Sequence, residues 1–355
     1  MNQTPPKNNS SLQFSVIICT YLRPQPTINL LQSITYQSVK PCQILIIDGS
    51  PNTETATIIQ PMIELLPIKY VHVEEKNRGL TKQRNIGIQH LLPHAEIVFF
   101  LDDDVMLETD FFEIMLQTFL DSTLIGCDGF ITNECYWLPM NGSLKLPKFY
   151  QQLDGYYLPL SARDCFRAAL GLFPMQLQPG KIPPYGHGKS SLPPTEKQYE
   201  VDHIMGGITA YRTTVFKHIQ FSPFFEGYGL YEDFDFSVRA SKHGKLITNT
   251  AARVKHHHDA SGRPNSYKFG QMVVRNGWYV WRLKYPQPTI NNKIKWYLIT
   301  LLLSSFRLGN TFTPIPIKRK QAWGDFCGRI VALTALLLNY NSVITEERIS
   351  RILIK

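Results

Sequence analysis

Three consecutive aspartates, Asp102, Asp103 and Asp104, follow the apolar segment 96–101. Carboxylates at the end of a buried strand repel one another unless a cation lies between them. Because side chains alternate along a strand, Asp102 and Asp104 should project to one side and Asp103 to the other. Mg²⁺ and Mn²⁺ take such oxygen ligands, together with water and phosphate oxygens. The run predicts a divalent metal site at Asp102 and Asp104, although the same acids could simply cap the following helix.

A second acidic pair, Glu232 and Asp233, lies in the segment 230–244, which has helical spacing. Asp235 and Arg239 can form an ion pair at positions i and i+4 of such a helix. Glu232 and Asp233 are then left near the helix start without an evident local partner. Either acid could cap the helix, or it could act as a general base if an apolar wall or a neighbouring acid raises its pKa.

Two further clusters carry groups that bind anions or metals. Arg78, Lys82 and Arg84 place positive charge at the start of the helical segment 77–88, which could hold a phosphate or a ribose. A helix with a basic exposed face would use the same residues.

Three adjacent histidines, His256 to His258, end a predicted strand, and they cannot all bind one ion. Alternation groups His256 with His258, and His256 is predicted to be an additional metal ligand. The alternatives are contact with a diphosphate or exposure to solvent.

The elements that would position these groups alternate regularly between residue 14 and about residue 131. Apolar, strand-like runs occupy residues 14–19, 43–48, 68–73, 96–102 and 124–130, and helix-length segments occupy 26–38, 53–65, 80–92 and 109–120. This βαβ rhythm predicts a Rossmann-like α/β layer whose ligands bind beyond the carboxyl ends of the strands. No GxGxxG or P-loop motif follows any of these strands, which disfavours a dinucleotide-binding dehydrogenase and a P-loop enzyme.

The positive charge of the chain is concentrated at its end. The net charge is +9, and residues 291–355 hold ten Lys and Arg against three acids. Two apolar runs in this part, 296–306 and 330–340, fall short of the ~20 residues that a membrane span needs. The pattern predicts peripheral contact with anionic lipid head groups and no nucleic-acid binding. The alternative is a pair of amphipathic helices that pack on the domain with solvated basic faces.

The remaining composition is that of an ordinary globular protein. Hydrophobic residues make up 43% of the chain and charged residues 18%, and the six cysteines include no CxxC pair. The cysteines are therefore expected to be reduced packing residues. The polar first 13 residues lack the pattern of a secretory signal, which favours a cytoplasmic location, with peripheral association at the inner face of the membrane.

The ordered series of motifs resembles the family 2 glycosyltransferases of GT-A fold over residues 14 to about 260. Six segments carry the resemblance, in this order: VIICTYLRP, IIDGS, NRGLTKQRNIG, FLDDDV, GGITAYR and YEDFDFSVR. It implies an α/β fold with a mostly parallel central sheet flanked by helices, and the helical patterns beyond residue 260 add a helical C-terminal extension. It also implies transfer of a sugar from a nucleoside diphosphate to an acceptor hydroxyl, with inversion at the anomeric carbon.

The motifs and the composition together divide the chain into regions. The resemblance implies a catalytic domain at 14–260. The polar residues 1–13 are expected to be a disordered tail, and the helical patterns and positive charge after residue 260 predict a basic helical extension at 261–355. Within the domain, 14–130 would bind the nucleotide, 131–203 would be an irregular Pro- and aromatic-rich insertion, and 204–260 would hold the acceptor and the catalytic acid.

The resemblance assigns roles by position. Thr20, Arg23 and Asp48 would surround the nucleotide base. Arg84 and Asp102 would lie near the ribose and diphosphate, and Asp103 would be among the donor-binding residues. Asp104 would be the principal metal ligand, and Asp233, beside Glu232, would be the catalytic base. The resemblance implies Mn²⁺ or Mg²⁺ as the cofactor. It implies a nucleotide sugar as the donor, with a UDP-sugar favoured, and a glycan or glycolipid as the acceptor. Two departures are Ile47 before Asp48, which weakens any assignment of the nucleotide, and Gln83 before Arg84.

Two other functions fit parts of the pattern. A nucleotide-sugar-binding protein of the same fold could have lost activity, and a nucleotidyltransferase could use the same strand-end acids. A nucleotidyltransferase would need a glycine-rich basic loop after the first strand, and the segment CTYLRPQPT contains no glycine.

Overall fold

The computed structural model describes residues 12–140, 146–188, 190–225, 227–258 and 264–338. The predicted tail at 1–13, apart from its last two residues, and the end of the basic extension lie outside the described residues. The strands are β1 Phe14–Thr20, β2 Gln43–Asp48, β3 Ile68–His72, β4 Ile97–Asp102, β5 Val105–Leu107, β6 Leu124–Ile131, β7 Leu138–Pro139, β8 Tyr150–Leu153, β9 Tyr156–Pro159, β10 Gln198–Glu200, β11 Ile208–Arg212 and β12 Lys245–His256. The helices are α1 Pro24–Thr35, α2 Glu54–Ile58, α3 Gln60–Ile63, α4 Leu80–Gln89, α5 Phe111–Thr118, α6 Ala162–Ala169, α7 Glu232–Ala240, α8 Ser266–Lys284, α9 Ile290–Gly309 and α10 Pro316–Leu337.

The central sheet has the strand order β10-β12-β6-β11-β4-β1-β2-β3, and β5 pairs with β12. The four strands β4, β1, β2 and β3 are parallel, so their carboxyl ends meet at one edge. The register sets Cys19 opposite Asp102 and Thr20 opposite Asp48, which brings the polar ends of three strands level. Strand β11 runs antiparallel between β4 and β6, so the sheet is mixed.

The central strands are largely apolar because both faces of the sheet are covered. All six residues of β2 are buried, as expected of a parallel strand between two helical layers. On β4, Phe99 packs into one hydrophobic cluster with Phe111 and Phe112 of α5, whereas Phe100 faces the opposite cluster with Phe221. Burying each such side chain contributes about 1.5–3 kcal/mol.

Helix starts in the second half follow ordinary capping chemistry. Ser161, Asn265 and Thr289 precede α6, α8 and α9, and each side-chain oxygen accepts a hydrogen bond from the backbone N–H three residues later. The insertion at 131–203 is more regular than its composition suggests, because it contains α6 and a small antiparallel sheet of order β7-β9-β8.

The three C-terminal helices pack against the rest of the protein. Helix α8 holds the insertion through Trp281, whose indole N–H donates to the carbonyl of Pro184 at 2.9 Å. Trp281 also stacks on Trp296 of α9, with ring centroids 5.5 Å apart. Asp325 of α10 accepts from Arg307 at 2.9 Å and from Arg329 at 2.7 Å. Within the described chain, none of the helices combines the length and the apolarity needed to cross a bilayer.

Candidate active site

A cleft of about 730 Å³ opens at the carboxyl edge of β1 and β4. Its volume lies in the range of small-molecule sites, about 300–1,000 Å³. Nine residues with predicted site roles line it: Thr20, Arg23, Arg84, Asp102, Asp103, Asp104, Glu232, Asp233 and His256. The structure therefore collects, at one edge of the sheet, groups from β1, β4, α4, α7 and β12.

The aspartate run separates into two groups, as alternation predicts, although only Asp102 belongs to β4 and the other two form the turn that follows. One carboxylate oxygen each from Asp102 and Asp104 and one nitrogen of His256 lie within 4.8 Å of one another. Nε2 of His256 is 3.2 Å from Oδ1 of Asp104. This hydrogen bond, with the nearby charges of Asp104 and Asp102, raises the pKa of His256 to about 9. Two carboxylates and one imidazole are ligands that a divalent cation accepts.

Asp103 points the other way, towards the end of β1. Its carboxylate accepts from the hydroxyl of Thr20 at 2.7 Å and from the guanidinium of Arg23 at 3.0 Å. Arg23 also lies 3.4 Å from Asp104. Burial raises the pKa of Asp103 to about 7, although Arg23 opposes the shift. Asp103 thus fixes the loop after β1 against the turn that carries Asp104.

Arg84 is a buried cation surrounded by acids from two elements. Its guanidinium forms an ion pair with Glu232 at 2.5 Å and lies 3.6 Å from Asp102. It also donates to the carbonyl oxygen of Gly206 at 2.9 Å. These contacts tie the middle of α4 to the start of α7 and to the end of β4. Glu232 has no evident partner in its own segment of the sequence, and in the structure its partner is Arg84 of α4.

Asp233 is the more accessible of the two acids at the start of α7. It is half-buried and lines the cleft, whereas Glu232 is 4% exposed beneath it. Oδ2 of Asp233 accepts from the backbone N–H of Gly206 at 3.3 Å, and Oδ1 accepts from that of Phe234 at 2.8 Å. The predicted i, i+4 pair of Asp235 and Arg239 is confirmed further along the helix.

Two glycines between these acids leave space that a side chain would fill. A Cβ on Gly206 would lie 2.7 Å from the Glu232 carboxylate and 3.0 Å from the Arg84 guanidinium. A Cβ on Gly207 would overlap the carboxylate of Asp102. The close approach of backbone and charged groups therefore requires glycine at both positions.

Asp48 is placed differently from the other predicted residues, because it is not among those that line the cleft in the described chain. It is fully buried, and its carboxylate accepts from the backbone N–H of Ser50 at 2.7 Å and from the hydroxyl of Tyr70 at 2.8 Å. Gln83 has a similar supporting role, since its amide donates to the carbonyl oxygens of Thr20 and Ile47. These two residues shape the loops beneath the cleft.

Two acids at the site have no signal in the sequence. Asp128 of β6 accepts from the backbone N–H of Met205 at 2.8 Å and so supports the loop that carries Gly206. Glu134 contacts His256 and His258 from a turn that lies far away in the chain. Neither acid belongs to a motif, and their partners lie more than 70 residues away.

Residues 15–175 match the profile of the family described as Glycosyl transferase family 2. The chain carries a family 2 glycosyltransferase domain. This confirms the resemblance found in the motifs, and glycosyl transfer is the activity of the family.

The curated relatives that the chain matches are considerably longer than the matched regions. A glucosyl-dolichyl phosphate glucuronosyltransferase of Haloferax volcanii is 25% identical over 143 residues, covering 36% of this chain and 44% of that protein. An uncharacterized glycosyltransferase of Rickettsia conorii is 31% identical over 113 residues, covering 32% of this chain and 18% of that protein. The chain thus spans less than half the length of these relatives.

The fold is also found among solved glycosyltransferases. The crystal structure of GalNAc-T7 with UDP, GalNAc and Mn²⁺ is similar with a TM-score of 0.52 and 15% sequence identity, covering 94% of this chain and 58% of that chain. At this identity the likeness concerns the fold, which is GT-A, as the motifs predict.

Proposed function

We propose that this glycosyltransferase moves a sugar from a nucleoside diphosphate to an acceptor hydroxyl with inversion at the anomeric carbon, assisted by a divalent cation. One observation carries the proposal: Asp104 and His256, which fit a cation, line the same cleft as the half-buried carboxylate of Asp233. The cleft therefore offers one group of ligands for a diphosphate-bound metal and a separate acid for an alcohol.

Asp102, Asp104 and His256 would hold the cation. When bound, it would neutralise the charge that develops on the departing diphosphate. Mn²⁺ is the first ion to test, because an imidazole nitrogen among the ligands suits it better than Mg²⁺, which prefers oxygen ligands. A UDP-sugar is the first donor to test, because GalNAc-T7, a solved structure of the same fold, contains UDP and Mn²⁺.

Asp233 would act as the general base. Its carboxylate takes the proton of the acceptor hydroxyl while that oxygen forms a bond to the anomeric carbon. The bond from this carbon to the diphosphate oxygen breaks, and its electron pair leaves with the nucleoside diphosphate. The N–H of Gly206 orients the carboxylate at 3.3 Å. Attack from the face opposite the leaving group inverts the anomeric carbon, as in inverting glycosidases, where water takes the place of the alcohol.

The acceptor we propose is a glycan or a glycolipid. The Haloferax relative is named for a dolichyl phosphate-linked sugar, which supports a lipid-linked acceptor. A peripheral membrane contact would fit this acceptor. Four exposed apolar side chains lie within six residues of the basic run Lys318, Arg319 and Lys320, namely Phe312, Ile315, Ile317 and Trp323.

The proposal is tested with a panel of UDP-, GDP- and dTDP-sugars in the presence of Mn²⁺. Release of nucleoside diphosphate and donor binding are measured for the wild-type protein and for Asp104→Asn and Asp233→Asn. We expect Asp233→Asn to slow turnover by about 10²–10⁴-fold with donor affinity nearly unchanged, because only the proton transfer is removed. Asp104→Asn should weaken both donor binding and turnover. Asp110→Asn, an exposed aspartate without a side-chain cap, is the matched control.

The outcome separates the alternatives. If neither substitution changes turnover, the proposed roles are wrong. If the wild-type protein binds a nucleotide sugar without turning it over, it is a binding protein of this fold. If it consumes a nucleoside triphosphate and releases pyrophosphate, it is a nucleotidyltransferase.

A further inference from the structure

A single turn, residues Thr132–Glu134 after β6, holds the end of β12. The hydroxyl of Thr132 donates to the carbonyl of Val254 at 3.1 Å. The side chain of Asn133 clamps the backbone of His256 in both directions, donating to its carbonyl at 2.7 Å and accepting from its N–H at 2.9 Å. The turn thus fixes the main chain from which the imidazole of His256 projects.

The third residue of the turn reaches the imidazole itself. Oε1 of Glu134 lies 3.0 Å from Nδ1 of His256 and 2.8 Å from Nε2 of His258. On the other side of the ring, Nε2 of His256 lies 3.2 Å from Asp104. The imidazole therefore lies between two carboxylates, with one on each nitrogen.

This arrangement determines which nitrogen is free for a metal. An imidazole that binds a cation must offer the lone pair of one nitrogen and keep its proton on the other. A carboxylate that accepts this second proton selects the tautomer, fixes the ring and makes the metal-binding nitrogen more basic. Glu134 is on the side where such an acceptor is needed, and the metal-binding acids are on the other side.

We propose that Glu134 is a positioning residue for the metal site: it accepts the Nδ1–H of His256 and leaves Nε2 for the cation beside Asp104. The inference rests on the proposed function, because it needs a divalent cation at Asp104 and His256. It goes beyond that proposal by assigning a role to a residue outside the cleft's lining. A purely structural Glu134 would stabilise the turn and leave metal affinity unchanged.

The experiment measures Mn²⁺ binding to the full chain by titration calorimetry, without donor, so that it does not depend on turnover. We expect Glu134→Ala to weaken Mn²⁺ binding by about 10- to 100-fold, the usual effect of removing such a partner. Glu134→Gln should weaken it less, because the amide oxygen still accepts the Nδ1–H but carries no charge. Glu108→Gln, the same change at an exposed glutamate at the end of β5, should bind Mn²⁺ like the wild-type protein.

Asp104→Asn and His256→Ala separate this inference from the proposed function. If these two weaken Mn²⁺ binding and Glu134→Ala does not, Glu134 has no positioning role and the metal site stands. If none of the three changes the affinity, the proposed metal site itself is wrong.

A second readout does not depend on any variant. Nitrogen-15 spectra of histidine-labelled wild-type protein, loaded with diamagnetic Mg²⁺, report which ring nitrogen of His256 is protonated. A proton on Nδ1 supports the assignment. A proton on Nε2 overturns it, whatever the variants do, because that nitrogen could then not bind the cation.

Discussion

The charged residues of the cleft are paired across elements, and each pair constrains the others. Arg84 on α4 meets Glu232 on α7, and Asp103 after β4 meets Arg23 after β1. Removing one member of a buried pair leaves the other charge without compensation, which typically costs 3–5 kcal/mol. Substitutions at Arg84 or Glu232 would therefore disturb folding and function together.

Asp128 provides a prediction about pH. It is 2% exposed, and burial raises its pKa to about 7. The unfolded chain releases this proton near pH 4, whereas the folded protein keeps it until about pH 7. The stabilisation linked to this proton is therefore complete below pH 4 and is lost as the pH rises through 7.

Asn at position 128 would accept the same bond from Met205 without acquiring a charge. The quantity of interest is the free energy of unfolding of Asp128→Asn minus that of the wild-type protein. We expect this difference to increase by at most about 4 kcal/mol between pH 4 and pH 8. Urea unfolding at several pH values measures it. A difference that stays constant with pH would mean that Asp128 titrates normally. Asp110→Asn, at an exposed position, should show no such trend.

The residues predicted from the sequence are those that belong to short motifs. Asp102 ends a strand and Asp104 lies two residues later, so alternation is enough to group them. Asp128 and Glu134 are different, because each acts on a residue brought to it by the sheet, in which β6 pairs with β11 and β12. Their roles depend on strand neighbours, which no local spacing encodes.

At the scale of elements, the strands could be predicted because burial on both faces makes them apolar throughout. β1, β2, β3, β4 and β6 confirm the five predicted runs. The structure divides the helix expected over 53–65 into two short helices, α2 and α3. Pro61 is one of the first two residues of α3. The antiparallel direction of β11 could not be inferred, because it depends on the path of the 131–203 insertion that precedes it.

The packing of α8 against α10 depends on glycines, which the sequence pattern did not identify. A Cβ on Gly328 of α10 would overlap the carbonyl oxygen of Tyr267 on α8 and lie 3.0 Å from the amide nitrogen of Gln271. A Cβ on Gly270 of α8 would likewise overlap the carbonyl of Asp325. The two helix backbones are therefore nearly in contact.

Gly328→Ala should destabilise the protein by about 1–3 kcal/mol, because the backbones must move apart to accommodate the methyl group. Gly309→Ala is the matched control, since no atom lies within 4 Å of the added carbon at the end of α9. There alanine should be neutral or stabilise by up to about 1 kcal/mol. Chemical denaturation measures both. Equal effects at the two positions would show that the helices are not in close contact.

At the scale of the whole molecule, the described part of the basic extension packs on the domain and still leaves charged and apolar groups exposed. Asp325 forms ion pairs with Arg307 and Arg329, but Lys318, Arg319 and Lys320 are exposed. Arg319 and Lys320 line a shallow hollow together with Trp323, which is 53% exposed. Neighbouring cations and an exposed indole are complementary to anionic lipid head groups.

This surface leads to a prediction about membranes. Each Lys or Arg near an anionic bilayer contributes about 1 kcal/mol. Replacing Lys318, Arg319 and Lys320 by alanine should therefore weaken binding to phosphatidylcholine vesicles that contain phosphatidylglycerol by roughly a hundredfold. Co-sedimentation measures the bound fraction. A triple alanine variant at Lys217, Lys242 and Lys245, exposed lysines outside the basic extension, removes the same charge elsewhere and should bind almost as well as wild type. If both variants lose vesicle binding equally, net charge alone accounts for the binding. If the wild-type protein does not bind the vesicles, the proposed membrane contact is excluded.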